Sequence, residues 1–293
     1  MKRTLLLLFL TLAAVGVFAQ KNGRRKSPPS MRSKGTAQER FLNKQFWLGF
    51  KAGVNLTDPL AQARYSVMVP TNYDGTTTNK KYDRFNKLGG QATLELTFYF
   101  KGISISTQPT YRTSKFSYSN EYNWTSGAGT GANTLNMKFD QEQQLDYFDL
   151  PLLLKYEFTQ NKLRPFIQAG VYYSILVNAT KGVTVSGTDN ASGGSTNFEN
   201  EPVVVGAKDL FTNNWGAIAG GGLNYNLGNV RIVLDLSYHI GMSNIANVNN
   251  RYQNDRLSGI GDAQDDLKTN HLLISVGCLF PLRFLSNDFK SLD

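Results

Sequence analysis

The chain has 293 residues, 41% of them hydrophobic, and a formal net charge of +9 from 31 basic and 22 acidic side chains. Residues 20–44 carry eight basic residues and one acidic residue, and residues 45–293 carry 21 of each sign. A neutral folded region excludes the basic face that nucleic acid requires. The single cysteine, Cys278, excludes an internal disulfide.

The first 19 residues have the layout of a secretory signal peptide. Lys2 and Arg3 precede an apolar run, and Val17-Phe18-Ala19 offers a small-residue cleavage site before Gln20. A transmembrane anchor is the alternative, but the run is short for a membrane helix. No later window holds the ~18 uncharged apolar residues that a membrane helix needs. We therefore expect an exported chain whose signal peptide, residues 1–19, is removed.

A basic segment follows the signal peptide. Residues 20–43 contain Pro28-Pro29, several Ser and Gly, and few aliphatic residues. This composition predicts a disordered periplasmic tail. Either the tail is simply solvated, or it contacts an anionic partner such as lipid headgroups or an acidic periplasmic protein.

Eight later segments alternate between apolar and polar residues with the period of two that marks a half-buried strand. The segments are 46–56, 91–100, 103–113, 145–158, 167–177, 214–226, 230–241 and 271–280. The fourth and fifth form one hairpin, 144–179, whose first arm places Phe148, Leu150 and Leu152 on one face. These arms exceed the ~9–11 residues that a tilted strand needs to cross a bilayer. Pro151, inside the fourth segment, predicts a bulge or the end of pairing.

The connections between the segments alternate strictly between long and short. The long ones are 57–88, 114–143, 180–213 and 244–268, and the short ones are 101–102, 159–164 and 227–229. Loops beyond ~12–15 residues are uncommon in compact domains, whereas outer-membrane barrels have short periplasmic turns and long extracellular loops. We therefore predict an all-β fold, an eight-stranded antiparallel up-and-down transmembrane β-barrel spanning 44–281. Both termini, including a short C-terminal tail at 282–293, would then lie in the periplasm.

Aromatic residues end several apolar faces near the predicted periplasmic rim, as in an interfacial girdle. They are Phe46, Phe98, Phe100, Tyr156, Phe158 and Phe280. The alternative fold is a lipocalin-like soluble barrel whose apolar face points inward. Alternation alone permits that inversion, but the missing disulfides, the one-sided long loops and the export signal favour the membrane barrel.

The polar faces carry charges of both signs. An eight-stranded barrel has an interior just wide enough for side chains. Buried charges must be paired, so we expect a hydrogen-bonded ionic network that fills the lumen. A narrow polar conduit or ligand site is the alternative. The predicted lumen residues are Lys51, Glu95, Arg112, Lys155, Glu157, Arg231, Asp235 and His239.

Four segments resemble the PorT-like outer-membrane β-barrel proteins of Bacteroidota. They are LGFKAGVNL at 48–56, FDLPLLLKYEF at 148–158, PFIQAGVYY at 165–173 and LDLSYHIGMSNI at 234–245. The resemblance covers residues 44–281 and implies an eight-stranded outer-membrane barrel. It implies no single activity, although the namesake is similar to an assembly factor for type IX secretion.

The sequence offers weak support for catalysis or for a metal. Asp235 and His239 lie four residues apart, about 13 Å along a strand, too far for a direct hydrogen bond. Asp262, Asp265 and Asp266 lack the ordered spacing of a calcium loop and predict a solvated acidic loop. The glycines at 216–222 lack the context of a phosphate loop and fit close packing against lumen side chains instead. We expect no catalytic residues, no cofactor and no metal.

These observations favour a non-enzymatic integral outer-membrane protein, a structural or interaction subunit or an assembly factor of an outer-membrane complex. The alternatives are a small porin-like solute channel and a membrane-embedded acyl hydrolase or transferase. Expected partners are outer-membrane lipid and a protein bound through the extracellular loops or the basic tail, with no nucleic acid. Trp124 and the Tyr and Asn residues of the predicted loops suit contacts with protein or glycan.

Overall fold

The computed structural model describes residues 44–65, 80–126, 133–159, 161–191, 194–227, 230–252 and 263–282. The predicted signal peptide and basic tail lie outside these ranges, as does nearly all of the predicted C-terminal tail. Among the described residues, no helix has the length and apolar character needed to cross a membrane.

The described chain is built almost entirely from antiparallel strands. They are β1 (Lys44–Ala63), β2 (Lys81–Tyr82), β3 (Leu88–Phe100), β4 (Ile103–Thr107), β5 (Thr110–Ser126), β6 (Asn133–Glu157), β7 (Leu163–Asp189), β8 (Thr196–Glu199), β9 (Val203–Gly206), β10 (Asn214–Leu227), β11 (Val230–Gly241) and β12 (Asp266–Pro281). Two short 3-10 helices, Lys208–Leu210 and Val248–Asn250, lie between strands.

The pairing of these strands returns to its starting point. β1 pairs with β3 on one side and β12 on the other, and β12 continues through β11, β10, β7 and β6 to β5 and β4, which pair back to β3. Because β4 and β5 occupy one position, the ring has eight positions. This arrangement closes the sheet and leaves no free edge in the ring.

The described residues form twelve strand segments rather than the predicted eight, and proline explains one of the extra segments. β4 and β5 are separated at Gln108 and Pro109, where Pro109 has no N–H to donate. Opposite this gap lies Pro151, whose carbonyl accepts a hydrogen bond from Thr107 Oγ1 at 2.9 Å. Of the two outcomes expected at Pro151, the interruption of pairing is found, on the side of β4 and β5. The bulge lies instead at Asp146/Tyr147, where the β6–β7 register shifts.

The other extra segments, β2, β8 and β9, lie in regions predicted to be loops, and long strands also invade those regions. β5 runs to Ser126, β6 begins at Asn133, and β7 reaches Asp189. The predicted loops 114–143 and 180–213 are therefore wrong over much of their length. The short connections are as expected. Lys101 and Gly102 both have positive φ, 50° and 95°, as a two-residue hairpin requires.

The ring has two ends, which we name by their connections. The turn end carries the connections β3–β4, β6–β7 and β10–β11, and the loop end carries the opposite rim. From the turn end through most of the ring, apolar side chains face outward; Phe50 is 66% exposed and Leu152 57%. The polar faces point inward, and Arg112 is fully buried. The lipocalin-like inversion is therefore excluded.

The predicted aromatic girdle lies at the turn end. Phe46 packs against Phe98 with ring centroids 4.7 Å apart, and Tyr156 packs edge-on against Phe158 at 5.4 Å. Rings half exposed beside the short turns are typical of a membrane interface.

At the loop end the polarity of the strands reverses. The inward faces of β5, β6 and β7 become mostly apolar there, with Gln141, Gln143 and Lys181 buried among the apolar side chains, and pack with segments that follow β9 and β11. We call this cluster the apolar cap: Phe116, Tyr118, Phe139, Leu145, Tyr147, Ala179, Val183, Val205, Ala207, Leu210, Phe211, Ile245 and Leu267. The ring is thus filled by charged and polar groups with two small apolar clusters among them below, and by the apolar cap above.

Candidate functional site: a filled lumen and an outer groove

The lumen layer nearest the turn end is built on Glu157. Its carboxylate accepts hydrogen bonds from Arg231 Nη1 at 2.8 Å, from Asn224 Nδ2 at 3.0 Å and from Arg164 Nη1 at 3.1 Å. The Arg231 guanidinium also lies 4.3 Å above the ring of Trp47. Two arginines that share one carboxylate and stack on aromatic rings close this mouth.

The middle layer contains two lysines and two carboxylates. Lys51 Nζ lies 2.9 Å from Glu95 and 2.8 Å from Asp235, and Lys155 Nζ lies 2.6 Å from Glu95. The formal charges of this layer cancel, which makes its burial tolerable. Two amide side chains hydrogen bond to Lys51 and Asp235: Gln108 and Gln168.

The layer beneath the apolar cap is built on Arg112. Its guanidinium donates two hydrogen bonds to Asp149, at 2.7 and 3.3 Å, in the fork geometry that favours carboxylates. Ser174 donates to the same carboxylate. His271 Nε2 lies 3.0 Å from Arg112 Nη1, and His271 Nδ1 lies 3.2 Å from Thr57 Oγ1.

His239 is the member of the predicted set for which no ion pair is found within the described chain. Its ring packs against Tyr172 at 5.0 Å, and Nε2 lies 3.5 Å from Ser237 Oγ. No hydrogen bond joins His239 to Asp235 in the described part of the chain. A cavity of about 20 Å³ separates the surrounding side chains, enough for one water molecule.

The structure therefore brings the predicted lumen residues together in layers. Lys51, Glu95, Lys155 and Asp235 share one layer, Glu157 and Arg231 share another, and Arg112 and His239 lie in the region beneath the cap. Sequence reasoning omitted several members of the network: Gln108, Asp149, Arg164, Gln168 and His271. Asp149 and His271 occupy the polar phase of their strands, so alternation alone would have identified them.

At the loop end, two neighbouring acidic residues tie distant segments together. Asp265 accepts hydrogen bonds from Lys80 Nζ at 2.9 Å, from Tyr82 Oη at 2.7 Å and from the Tyr65 amide at 2.8 Å. Asp266 accepts one from Asn244 Nδ2 at 2.9 Å. The predicted solvated acidic loop is therefore wrong for Asp265, which is buried. In the described ranges, no group of His, Cys, Asp and Glu is arranged to hold a metal.

A groove of about 640 Å³ lies on the outer face of β5, β6 and β7. It lies above the outward-facing apolar side chains of the ring, such as Phe148 and Leu152, which we call the lipid-facing band. We call it the outer groove. Its floor is made by outward-facing residues of the three strands, and its sides by the segments Asp83–Lys87 and Pro202–Val204. The floor residues are Ser117, Ser119, Lys138, Asp140, Glu142, Gln144, Thr180, Gly182 and Thr184.

Charges of the outer groove are paired with one another. Lys87 Nζ lies 2.9 Å from Glu142, and Lys138 Nζ lies 2.9 Å from Asp140. The hydrogen bond to Asp140 raises the pKa of the Lys138 ammonium, so this lysine stays charged. Asp83 accepts a hydrogen bond from Ser117 Oγ at 2.6 Å. The groove offers many donors and acceptors without a strong excess of either charge.

A family model described as outer membrane protein beta-barrel domain matches residues 18–247 of the chain. No curated protein matches the sequence. Similar solved structures include the outer membrane protein W of E. coli, which is 12% identical; 81% of this chain and 97% of that one align with a TM-score of 0.34. Neisserial surface protein A is 11% identical, with 80% and 96% covered and a TM-score of 0.30. Identities and scores this low say nothing about ligand or role.

Proposed function

The chain belongs to the outer membrane protein beta-barrel domain family, and from that premise we propose that it is a non-enzymatic binding protein of the outer membrane. Its working surface would be the loop end, facing the cell exterior, with the short turns and both termini in the periplasm. The alternation of short turns and long connections supports this orientation, because barrels of this class keep short turns on the periplasmic side.

The observation that carries the proposal is the filled lumen. Three polar layers follow one another across the ring, and the apolar cap covers the last of them. Ions and solutes need a continuous water-filled path through the lumen. The cavity among the described lumen residues has room for about one water molecule. This packing favours a role in binding over a role in transport.

The proposed partner is a protein complex of the outer membrane. The resemblance to PorT-like proteins supports a subunit or assembly factor of an outer-membrane complex, and machinery similar to type IX secretion is one candidate. β5, β6 and β7, at 17, 25 and 27 residues, are far longer than the ~9–11 residues that span a bilayer. Their projecting parts offer a surface for a protein partner, and the basic tail offers a second.

A solute channel remains the second candidate, because the polar lumen is the one feature that could conduct. Single-channel recording on purified protein in a planar bilayer tests it. We expect no steady openings. Charge-selective openings of constant size would support the channel and overturn the binding role as the main function.

A partner experiment tests the loop-end surface directly. Glu121 pairs with Lys138, so residues 122–137 can be replaced by an Asn-Gly turn without disturbing the ring below. Affinity purification from the native membrane should recover a stoichiometric partner with the full chain and lose it with the shortened hairpin. The matched variant lacks residues 21–40; loss with that variant alone would assign the partner to the basic tail.

The enzyme alternative depends on histidine in a chain with two His residues. Both are buried in the lumen, and His239 Nε2 lies 3.5 Å from the Ser237 hydroxyl. A hydrolase or transferase would need substrate to reach this interior. Acyl-ester hydrolysis by the wild type that disappears in a His239→Ala, His271→Ala double variant would support the enzyme.

A further inference from the structure

We propose that the outer groove is a binding site for neutral carbohydrate. The inference deepens the proposed function, since it names a ligand class for the loop end, and it rests on that function for the groove's exposure at the cell surface. The observation that supports this inference is the position of a polar groove with paired charges directly above the lipid-facing band of β5, β6 and β7.

The size and floor of the groove suit a small saccharide. Its volume of about 640 Å³ lies within the range of small-molecule sites. The floor is low on both sides of β6, because β5 and β7 contribute only hydroxyl side chains and Gly182, which has no side chain to fill the space. A Cβ built on Gly182 would meet its nearest neighbours, Glu142 and Val204, only at 3.9 Å.

The chemistry of the lining matches the hydroxyl groups of a sugar. Each sugar hydroxyl donates one hydrogen bond and accepts others, so it needs donors and acceptors side by side. The groove provides a donor in Lys138 beside acceptors such as Asp140 and Glu142. Ser119, Thr180 and Thr184 can serve in either direction.

The groove also has an apolar edge. Pro202 and Val204 form one side, and Val204 is 67% exposed although it lies outside the lipid-facing band. The C–H face of a pyranose ring is apolar, so this edge can cover it while the floor hydrogen bonds to the hydroxyls. Burial of such small apolar areas adds to affinity in proportion to their size.

Other ligand classes fit less well. The lining has two lysines, each paired with a carboxylate, against three carboxylates, so a sulfated or phosphorylated ligand would meet no free cation there. An acyl chain would have to bury the hydroxyls and charges of the floor without hydrogen bonds. A neutral polyhydroxyl ligand avoids both costs.

The position of the groove suggests where the sugar comes from. Glu142 lies six residues beyond Phe148, an outward-facing residue of the apolar band, or about 20 Å along the strand. With a strand tilt near 40°, the height above that residue is about 15 Å. This level corresponds to the saccharide part of an outer-leaflet glycolipid, and it is equally open to a soluble glycan.

The experiment uses the full mature chain in detergent and two probes: an array of neutral and anionic glycans, and the delipidated saccharide of the host's outer-leaflet glycolipid. Gly182→Tyr fills the floor of the groove, and Thr184→Tyr does so from a second position. Gly194→Tyr is the matched control, because a Cβ on Gly194 meets nothing within 4 Å and the residue does not line the groove. Urea unfolding in lipid shows whether each variant keeps its fold.

We expect the wild type to bind neutral saccharide, and both groove variants to bind at least about tenfold more weakly, with Gly194→Tyr unchanged. Binding of the glycolipid saccharide assigns the leaflet as the source, and binding confined to the array assigns a soluble glycan. Absence of neutral binding, binding of anionic glycans alone, or full binding by the two folded groove variants would overturn the inference. A chain that fails here but still recovers its partner leaves the proposed function standing.

Discussion

β5, β6 and β7 each run through two environments. In the turn-end half of each strand the apolar face points outward, and in the loop-end half the apolar face points inward. In the turn-end half, Leu152 and Leu154 of β6 face outward while Lys155 and Glu157 face the lumen. In the loop-end half of the same strand, Glu142 faces outward, and the buried inner positions are apolar apart from Gln141 and Gln143. A single ribbon therefore carries a membrane protein's polarity below and a soluble protein's polarity above.

The comparison teaches that the solvent outside each half sets which face must be polar. Where lipid surrounds the ring, polar groups can only be satisfied inward, by each other. Where water surrounds it, the outward face is hydrated and burial of the inner face provides the stabilisation. The register shift at Asp146/Tyr147 lies near this boundary. Ser174 and Ala179 are five residues apart and would point to opposite faces of a regular strand. The extra residue in β7 between them lets both point inward.

The largest effect is expected from breaking the middle layer of the lumen. Glu95→Ala leaves Lys155 without its carboxylate and Lys51 with Asp235 alone, so it should destabilise the fold by about 3–5 kcal/mol. The free energy of unfolding in lipid vesicles, from urea titration followed by tryptophan fluorescence, measures it. A loss below about 1 kcal/mol, the range of solvated ion pairs, would show that water reaches this layer.

The apolar cap should behave as an ordinary protein core. Leu145 is fully buried in it, so Leu145→Ala should cost about 2–5 kcal/mol through lost burial and a residual cavity. Leu154→Ala, on the lipid-facing side of the same strand, is the matched control and should cost less because lipid chains fill the space. Equal losses in the same urea titration would contradict the division into two halves.

An arginine placed on the outer face should destabilise the fold strongly in the lipid-facing half of a strand and hardly at all in the loop-end half. Leu152→Arg puts a guanidinium into the lipid-facing band and should cost about 2–4 kcal/mol near the bilayer midplane. Thr184→Arg, on the outer face of the loop-end half, should change the unfolding free energy by no more than about 0.5 kcal/mol. A large loss for Thr184→Arg would extend the lipid-facing band to the groove.

A small effect is also expected from breaking an ion pair of the outer groove. The Lys87–Glu142 pair is partly exposed, so Glu142→Ala should cost only about 0.2–1 kcal/mol. The difference should shrink further in 1 M salt, where the screening length is about 3 Å. A salt-independent loss comparable to that of Glu95→Ala would show that the two pairs share one environment.

Much of the ring could be predicted from sequence, because lipid on one side and ions on the other produce strict alternation. Phe148, Leu150 and Leu152 mark one phase of β6, and Lys155 and Glu157 the other. The same rule failed above Ser114. Phe116 and Tyr118 lie on the same face of β5 as Arg112. Because apolar residues are expected to face lipid, apolar residues on the polar face of a strand led to the prediction of a loop.

The sequence by itself determined the period of the strands, the order of short and long connections, and membership of an outer-membrane β-barrel family. Only the tertiary structure decided that the apolar phase faces outward below and inward above. It also decided which charges meet: Glu95 reaches Lys51 on the adjacent strand β1 and Lys155 on β6, beyond β4. Arg164 reaches Glu157 from the far side of a turn. The physical reason is that alternation fixes only the relative orientation of neighbours along a strand, whereas pairing and solvent are fixed by strands distant in sequence.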